Sequence, residues 1–129
     1  MPHIDAHIFT KKGVKRDLTL ILDEDDGILE SIKSAMKEHA IKEVKVEGIE
    51  GTLKECVINF FERSNFKSAT LKNEKTMLAS GSFKLSFDDL YGSMKIATEG
   101  KPPMHGTVVK GKAGQDLTLK LSFVELVDK

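Results

Sequence analysis

This sequence of 129 residues has one cysteine, no tryptophan and a formal net charge of zero. A single cysteine, Cys56, excludes an internal disulfide framework and is typical of a protein from a reducing compartment. Twenty Lys and Arg residues balance twenty Asp and Glu residues, so the sequence lacks the strong positive charge of most nucleic-acid-binding domains. Arginine and tryptophan, which commonly contact or stack on bases, number two and none.

Long hydrophobic runs are missing as well. No stretch approaches the roughly 18 consecutive apolar residues of a membrane-spanning helix. The first residues also lack the apolar segment of a secretory signal peptide. Both absences predict a cytoplasmic protein that does not contact a membrane.

What remains is the composition of an ordinary globular protein, with 40% hydrophobic and 31% charged residues. The length suits one domain over residues 1–129, because a second compact core would have too few residues. We expect about ten residues at the N-terminus to be flexible, as chain termini often are.

Phosphate-binding and nucleophile motifs do not occur. The glycines match neither GxGxxG nor GxxxxGK[ST], and the serines around Gly81 do not form a GxSxG elbow. The acidic segment 23–26 lacks the spacing of a calcium-binding EF-hand, so we interpret it as a solvated loop before a helix. Motifs alone therefore assign no catalytic residue, metal ligand or cofactor.

Apolar residues at three- and four-residue spacings predict one helix over residues 26–40. We expect Asp25 or Asp26 to cap its N-terminus, and His39 lies where the helix dipole favours positive charge. The apolar stripe consists of Ile28, Leu29, Ile32, Ala35, Met36 and Ala40. Its length is too short for a coiled coil, so we expect the helix to pack on a sheet.

The rest of the sequence reads as strands separated by turns. Residues 48–51 are predicted to break a strand, and the small residues 79–82 are predicted to let two chain segments approach closely. The predicted strands cover residues 17–22, 43–47, 53–61, 66–71, 76–85, 90–97, 106–112 and 117–127. The predicted fold class is therefore α+β, with a mostly antiparallel sheet of about seven to eight strands and one main helix packed on it.

Two groups of basic residues invite a functional interpretation. A cluster near the start could contact phosphate groups or simply form a solvated basic patch; it consists of Lys11, Lys12, Lys15 and Arg16. His3 and His7 have a spacing that binds zinc on a helix, but the surrounding residues show no helical pattern. We therefore expect neither histidine to bind a metal.

Several stretches share motifs with one known family. Residues 77–83 are similar to a Leu-Ser-x-Ser-Gly-Ser-Phe strand, and residues 105–113 to a later Gly-Gly-x-Val-x-Gly-x-x-Ala stretch. Ser122-Phe123 fits the closing strand, and the segment 46–49 after the helix resembles a Val-Ser-Gly-Ile-Gly turn. In this order, over residues 17–127, the motifs resemble the PPC (plants and prokaryotes conserved) family, here without the AT-hook of its plant members.

The resemblance implies a compact α+β domain that assembles as a homotrimer. Some prokaryotic members have a metal site built from a His-x-His strand and a Gly-Gly-His turn. The corresponding positions here are near Tyr91 and Ser93, so that only His105 remains as an imidazole. Because a single imidazole does not hold zinc, we expect no bound metal.

These observations favour a non-enzymatic, homotrimeric PPC module with a DNA-binding, regulatory or protein-interaction role. We expect nucleic-acid binding to be weak and independent of sequence, and a protein partner is equally compatible with the composition. The alternative is a small-molecule or enzymatic site at the trimer interface, with His105, Tyr91 and Ser93 as its candidate residues.

Overall fold

The computed structural model describes residues 11–128, so His3 and His7 lie outside the described residues. Seven strands and one helix follow each other along this part of the chain. They are β1 (Lys11–Leu22), α1 (Ile28–Glu38), β2 (Glu43–Glu50), β3 (Thr52–Glu62), β4 (Asn65–Ser86), β5 (Asp89–Thr98), β6 (Met104–Ala113) and β7 (Leu117–Asp128). The α+β class with a single main helix is thereby confirmed.

All strands pair antiparallel in one sheet with the order β1-β7-β2-β4-β3-β6-β5, and β4 also pairs with β5. The long strand β4 makes this possible, because its first half pairs with β3 while its second half lies between β2 and β5. We predicted two strands where β4 is continuous. Asn73, with a φ of 53°, marks the irregular point between the two halves.

The core lies between the helix and one face of the sheet. The helix buries Ile28, Ile32, Ala35 and Met36, as its spacing predicted. Along β7, Leu117, Leu119 and Leu121 are buried at every second position, which is the period of a strand with one covered face. Met94 and Ile96 of β5 continue the same core.

The ends of the helix differ from the prediction. Its N-cap is Gly27, and no side chain caps the first turn. The Asp26 carboxylate accepts a hydrogen bond from the Asp23 N–H at 2.8 Å and so stabilises the preceding turn instead. At the other end His39 is the C-cap, and Ala40 leaves the helix with a left-handed φ of 53°. The predicted Asp cap was therefore wrong, because the Asp26 carboxylate accepts its hydrogen bond from the preceding turn and not from the first turn of the helix.

The break predicted over residues 48–51 occurs, but it begins only at Gly51, which has a left-handed φ of 114°. A β-bulge between Val46 and Gly48 absorbs the irregular sequence, and the strand continues to Glu50 with Ile49 buried. The predicted close approach near Gly81 is confirmed, because a Cβ at this position would lie 2.3 Å from the Ser93 carbonyl oxygen. Between residues 11 and 128, no helix has the length and apolar content needed to cross a membrane.

Candidate functional site

The side of the central strands that faces away from the core carries polar and charged side chains. Met94 and Ile96 of β5 are buried, so the alternate residues of the same strand point outward. The same alternation holds in β4, where Phe83 is buried and its neighbours are exposed. We call this surface the polar face; it consists of Glu43, Lys45, Ser82, Lys84, Tyr91, Ser93, Lys95 and His105.

Direct cross-strand pairs hold these side chains in place. Lys84 pairs with Tyr91 and Ser82 pairs with Ser93 between β4 and β5. Lys95 of β5 pairs with His105 of β6. Because directly paired residues have Cβ atoms about 5 Å apart, each pair presents its two side chains together.

The three candidate residues from the sequence therefore share one face but do not converge on one point. Ser93 lies between Tyr91 and Lys95 along β5, and His105 of β6 sits opposite Lys95. Tyr91 is four residues along the strand from Lys95, which corresponds to about 13 Å. One phenol, one hydroxyl and one imidazole at this separation do not suit the tetrahedral ligand set of zinc.

The polar face offers binding groups rather than an activated nucleophile. The Tyr91 hydroxyl donates a hydrogen bond to an Asp89 carboxylate oxygen at 3.4 Å. Within residues 11–128, neither Ser93 nor His105 has a side-chain hydrogen bond that would orient it for proton transfer. The arrangement presents cations, hydroxyl groups and one aromatic ring to solvent.

The lysines of the polar face are available to a ligand. Lys45, Lys84 and Lys95 are exposed, and none forms an ion pair with a described side chain. Glu43 pairs with Lys84 across β2 and β4, and strand alternation places Glu47 of β2 and Asp89 of β5 on the same side of the sheet. Glu47 contacts Lys15 and Ser122, and Asp89 contacts Tyr91, whereas the three lysines have no ion-pair partner among the described side chains.

The basic cluster near the start of the sequence has a different environment. Arg16 pairs with Glu125 at 3.0 Å, and Lys15 pairs with Glu47 at 3.5 Å. Strand alternation places Lys12 and Arg16 on one face of β1 and Lys15 on the other. A role for Lys11, Lys12, Lys15 and Arg16 in phosphate binding stays a prediction, with two of these charges already neutralised by neighbours.

A groove of about 990 Å³ opens where β7 separates from β2. The two strands pair up to Lys45 and Ser122, and beyond this point β7 pairs only with β1. At the fork, the buried Ser122 hydroxyl donates a hydrogen bond to a Glu47 carboxylate oxygen at 2.5 Å. This bond, followed by the nearby Lys15 ammonium group, lowers the pKa of Glu47.

The buried thiol of Cys56 belongs to the core and not to a site. Its side chain is 1% exposed, so Cys56 is a small residue of the core. Burial raises the pKa of Cys56 to about 11, so the thiol stays protonated near neutral pH. Among residues 11–128, no three His, Cys, Asp or Glu side chains gather in a way that could hold a metal ion.

Sequence reasoning missed the lysines of the polar face. Lys45, Lys84 and Lys95 are far apart in the sequence, and only strand pairing brings them onto one surface. A usable signal was the period-two pattern of polar residues in segments 80–84 and 91–95, which indicates an exposed strand face. The groove had no such signal, because it depends on where β2 and β7 separate.

Comparison with known proteins identifies the fold of this chain but shows no relationship at the level of sequence. No family model matches the sequence, and no curated protein matches it significantly. Solved structures do match. A PPC protein from Pyrococcus horikoshii is 21% identical with a TM-score of 0.65, covering 92% of this chain and 84% of that one.

Two further structures have the same fold at lower identity. A proposed DNA-binding protein from Ralstonia eutropha JMP134 is 15% identical with a TM-score of 0.63, covering 84% of this chain and 76% of that one. A metal-containing protein from Archaeoglobus fulgidus is 12% identical with a TM-score of 0.66, covering 88% and 81%. The chain thus belongs to the α+β class built on an antiparallel sheet. Its fold is that of the PPC proteins, which confirms the resemblance inferred from its motifs.

Proposed function

We propose that the chain is a non-enzymatic, homotrimeric PPC-fold module that binds DNA phosphates weakly and without sequence preference, through the polar face. The observation that carries this proposal is the set of unpaired lysines Lys45, Lys84 and Lys95 on one exposed surface. Similarity in fold to a proposed DNA-binding protein adds support from analogy. A regulatory role would follow if a protein partner provided the sequence specificity.

The side chains of the polar face suit phosphate groups better than base edges. Lysine ammonium groups neutralise phosphates, and the hydroxyls of Ser82 and Ser93 can donate hydrogen bonds to phosphate oxygens. Bidentate base contacts usually require Arg, Asn or Gln, and the polar face has none of these. Binding is therefore expected to position the protein on DNA without selecting a sequence.

The trimer is supported by the amount of exposed apolar surface. Ten large hydrophobic side chains are exposed among the described residues, including Phe66, Phe87 and Leu126. Among the described residues one helix covers the sheet, so part of this surface is available for contacts between subunits. Three copies would also bring three polar faces to one DNA molecule and raise a weak affinity by avidity.

The test is a titration of random-sequence duplex DNA at several salt concentrations. We expect binding at low salt that weakens steeply as salt rises. The double variant Lys84→Gln/Lys95→Gln should reduce the slope of log K against log salt by about two for each engaged chain, because each neutralised phosphate contributes roughly one. The matched control is the double variant Lys12→Gln/Arg16→Gln, which also removes two cations but from β1.

Three outcomes would contradict the proposal in whole or in part. If the β1 variant abolished binding and the Lys84→Gln/Lys95→Gln variant did not, DNA binding would stand but the polar face would be the wrong site. If the unmodified protein bound one sequence tightly at physiological salt, the non-specific mode would be wrong. No detectable binding at low salt would reject the nucleic-acid function.

The alternative is a small-molecule site near Tyr91 and His105 at a subunit interface. Their placement on one face together with Ser93 is the observation that favours it. Thermal shift screening of small anions would test it, because a ligand that binds the folded state raises Tm. A rise that is lost in both Tyr91→Phe and His105→Gln would favour this alternative over DNA binding.

A further inference from the structure

The hairpin between β3 and β4 extends beyond the sheet as a two-stranded arm. Among the described residues, β6 pairs with β3 only from Leu53 to Asn59, and the first residues of β4 pair only with β3. Arg63 and Ser64 form the two-residue turn at the tip, with left-handed φ values of 49° and 65°. Positive φ at both turn positions matches the twist of the strands, so the hairpin is regular up to its tip. We call residues 60–67 the arm.

The arm carries an aromatic pair on one side. Phe61 and Phe66 are direct cross-strand partners, with ring centroids 5.0 Å apart and an angle of 70° between the ring planes. This edge-to-face contact holds the two rings relative to each other, yet Phe61 is 63% and Phe66 84% exposed. The arm therefore presents an aromatic surface that is in place before any ligand binds.

The register between β3 and β6 joins the aromatic pair to the polar face. Asn59 pairs with Thr107, and both residues are exposed. Two residues further toward the arm, strand alternation places Phe61 of β3 and His105 of β6 on this same side. His105 belongs to the polar face and pairs with Lys95 of β5. These outward side chains form one strip across adjacent strands, which consists of Lys95, His105, Phe61 and Phe66.

We infer that this strip binds an unpaired strand of nucleic acid, whose phosphates contact the lysines of the polar face while one base stacks on Phe66. The inference rests on the proposed DNA-binding function and names the form of nucleic acid that the site takes. A phenyl ring has no group that binds a phosphate, but it can stack on the face of any base. In a duplex the base faces are stacked on each other, so an unpaired strand is the form that offers a free face.

The polar surroundings of the rings favour nucleic acid over a lipid surface. Arg63 and Ser64 occupy the tip of the arm, and Asn59 and Ser68 lie behind the rings on the same side. Polar side chains and unpaired backbone groups at the leading end would be costly in hydrocarbon. The same groups suit a nucleic acid, because guanidinium, amide and hydroxyl groups donate hydrogen bonds to phosphate oxygens.

The test compares labelled oligothymidylate with a duplex of the same length at the same salt, by fluorescence anisotropy. Charge alone favours the duplex, because each neutralised phosphate contributes about 0.9 to the salt slope on a duplex and about 0.7 on a single strand. We expect the opposite order, with tighter binding of the single strand. Such a preference requires a favourable contribution from the bases.

Phe66→Leu removes the ring and keeps an apolar side chain at an exposed position. It should lower the affinity for oligothymidylate about five- to a hundredfold, the effect of one lost stacked base, and leave the affinity for the duplex the same. The slope of log K against log salt should not change, because no charge is removed. Phe66→Tyr keeps the ring and should bind like the unmodified protein.

Phe87→Leu is the matched control for this substitution. Phe87 is 97% exposed at the turn of the β4–β5 hairpin and lies outside the strip. Its replacement should leave the affinity for both oligonucleotides unchanged. Circular dichroism spectra of all three variants should match that of the unmodified protein, since the substituted side chains are exposed.

An abasic strand of the same length tests stacking directly, because it has the same charge and no bases. It should bind the unmodified protein more weakly than oligothymidylate does. Phe66→Leu should not weaken its binding further, since the ring and the base act as one pair. A further loss with the abasic strand would show that Phe66 does not act by stacking and would overturn the inference.

The remaining outcomes separate the inference from the proposed function. Tighter binding of the duplex, an unchanged oligothymidylate affinity in Phe66→Leu, or an equal loss in Phe87→Leu would overturn the inference and leave phosphate binding by the polar face intact. Binding to vesicles that contain phosphatidylserine, abolished by Phe66→Leu and without preference for the single strand, would assign the arm to a membrane instead. No binding of either oligonucleotide at low salt would overturn both.

Discussion

The two faces of the central strands differ in how closely their residues are constrained. On the covered face, Met94 and Ile96 pack against a continuous core, and each has almost no solvent exposure. On the polar face, the intervening residues Ser93 and Lys95 contact solvent and their cross-strand partners. The two faces of one strand therefore have different roles. The covered residues maintain the fold, and the outward residues can change without unfolding it.

The largest expected effect concerns a covered residue beside an outward one. Met94→Ala removes a side chain that is 1% exposed and should lower the free energy of unfolding by about 2–5 kcal/mol, because the cavity does not fully close. Ser93→Ala, one residue away, should change it by no more than about 0.5 kcal/mol. Urea denaturation measures both. Equal effects at the two positions would break the distinction between the faces.

A smaller effect is expected at two buried polar residues of the core. Thr76 and Thr98 are buried cross-strand partners, and the Thr76 hydroxyl donates a hydrogen bond to the Gly51 carbonyl at 2.8 Å. The Thr98 hydroxyl has no hydrogen-bond partner within the described chain. Thr98→Val should therefore be neutral or stabilise by about 1 kcal/mol, because an unsatisfied buried hydroxyl is costly.

Thr76→Val is the matched control for this experiment. It removes a hydroxyl of the same type from the adjacent strand, together with an existing hydrogen bond, and should destabilise by about 1 kcal/mol. If Thr98→Val destabilised the protein as much as Thr76→Val, the Thr98 hydroxyl would have a partner, and the core would be more polar than described.

The smallest expected effect is a pH dependence at the fork between β2 and β7. The Ser122 hydroxyl and then the Lys15 ammonium hold the pKa of Glu47 below the ordinary value of a glutamate carboxyl. A lowered pKa in the folded state means that the ionised carboxylate stabilises the fold above the unfolded-state pKa, and that this contribution disappears as pH falls through the folded-state pKa. Glu47→Gln should flatten this part of the stability profile.

Urea titrations between pH 7 and pH 3 would measure this change. Ser122→Ala removes the main cause of the lowered pKa and should flatten the acid part of the profile in the same direction as Glu47→Gln. An acid profile that neither substitution alters would show that the fork does not contribute to pH-dependent stability.

The sequence predicted the covered face well because burial has a simple periodic signature. The spacing of Ile28, Ile32 and Met36 identified the helix, and alternation in β7 identified its inward residues. Two local predictions failed: the capping role of the Asp26 carboxylate, and the course of the strand after Val46, where a bulge forms. At both points the chain can form more than one pattern of hydrogen bonds. In both cases backbone hydrogen bonding, which the pattern of side chains does not encode, decided the outcome.

The candidate site was only partly predictable. Tyr91, Ser93 and His105 entered through a family resemblance, and the structure does place them on one face. The lysines beside them come from three different strands, so their proximity depends on strand register.

The most direct test of the polar face as the functional surface is an NMR titration of the isotope-labelled protein with random duplex DNA at low salt. We predict the largest amide shift changes around Ser82, Ser93 and Lys95, with small changes in the strand that carries Lys12 and Arg16. Changes confined to that strand, or no changes at DNA concentrations that saturate binding, would contradict the assignment of the polar face.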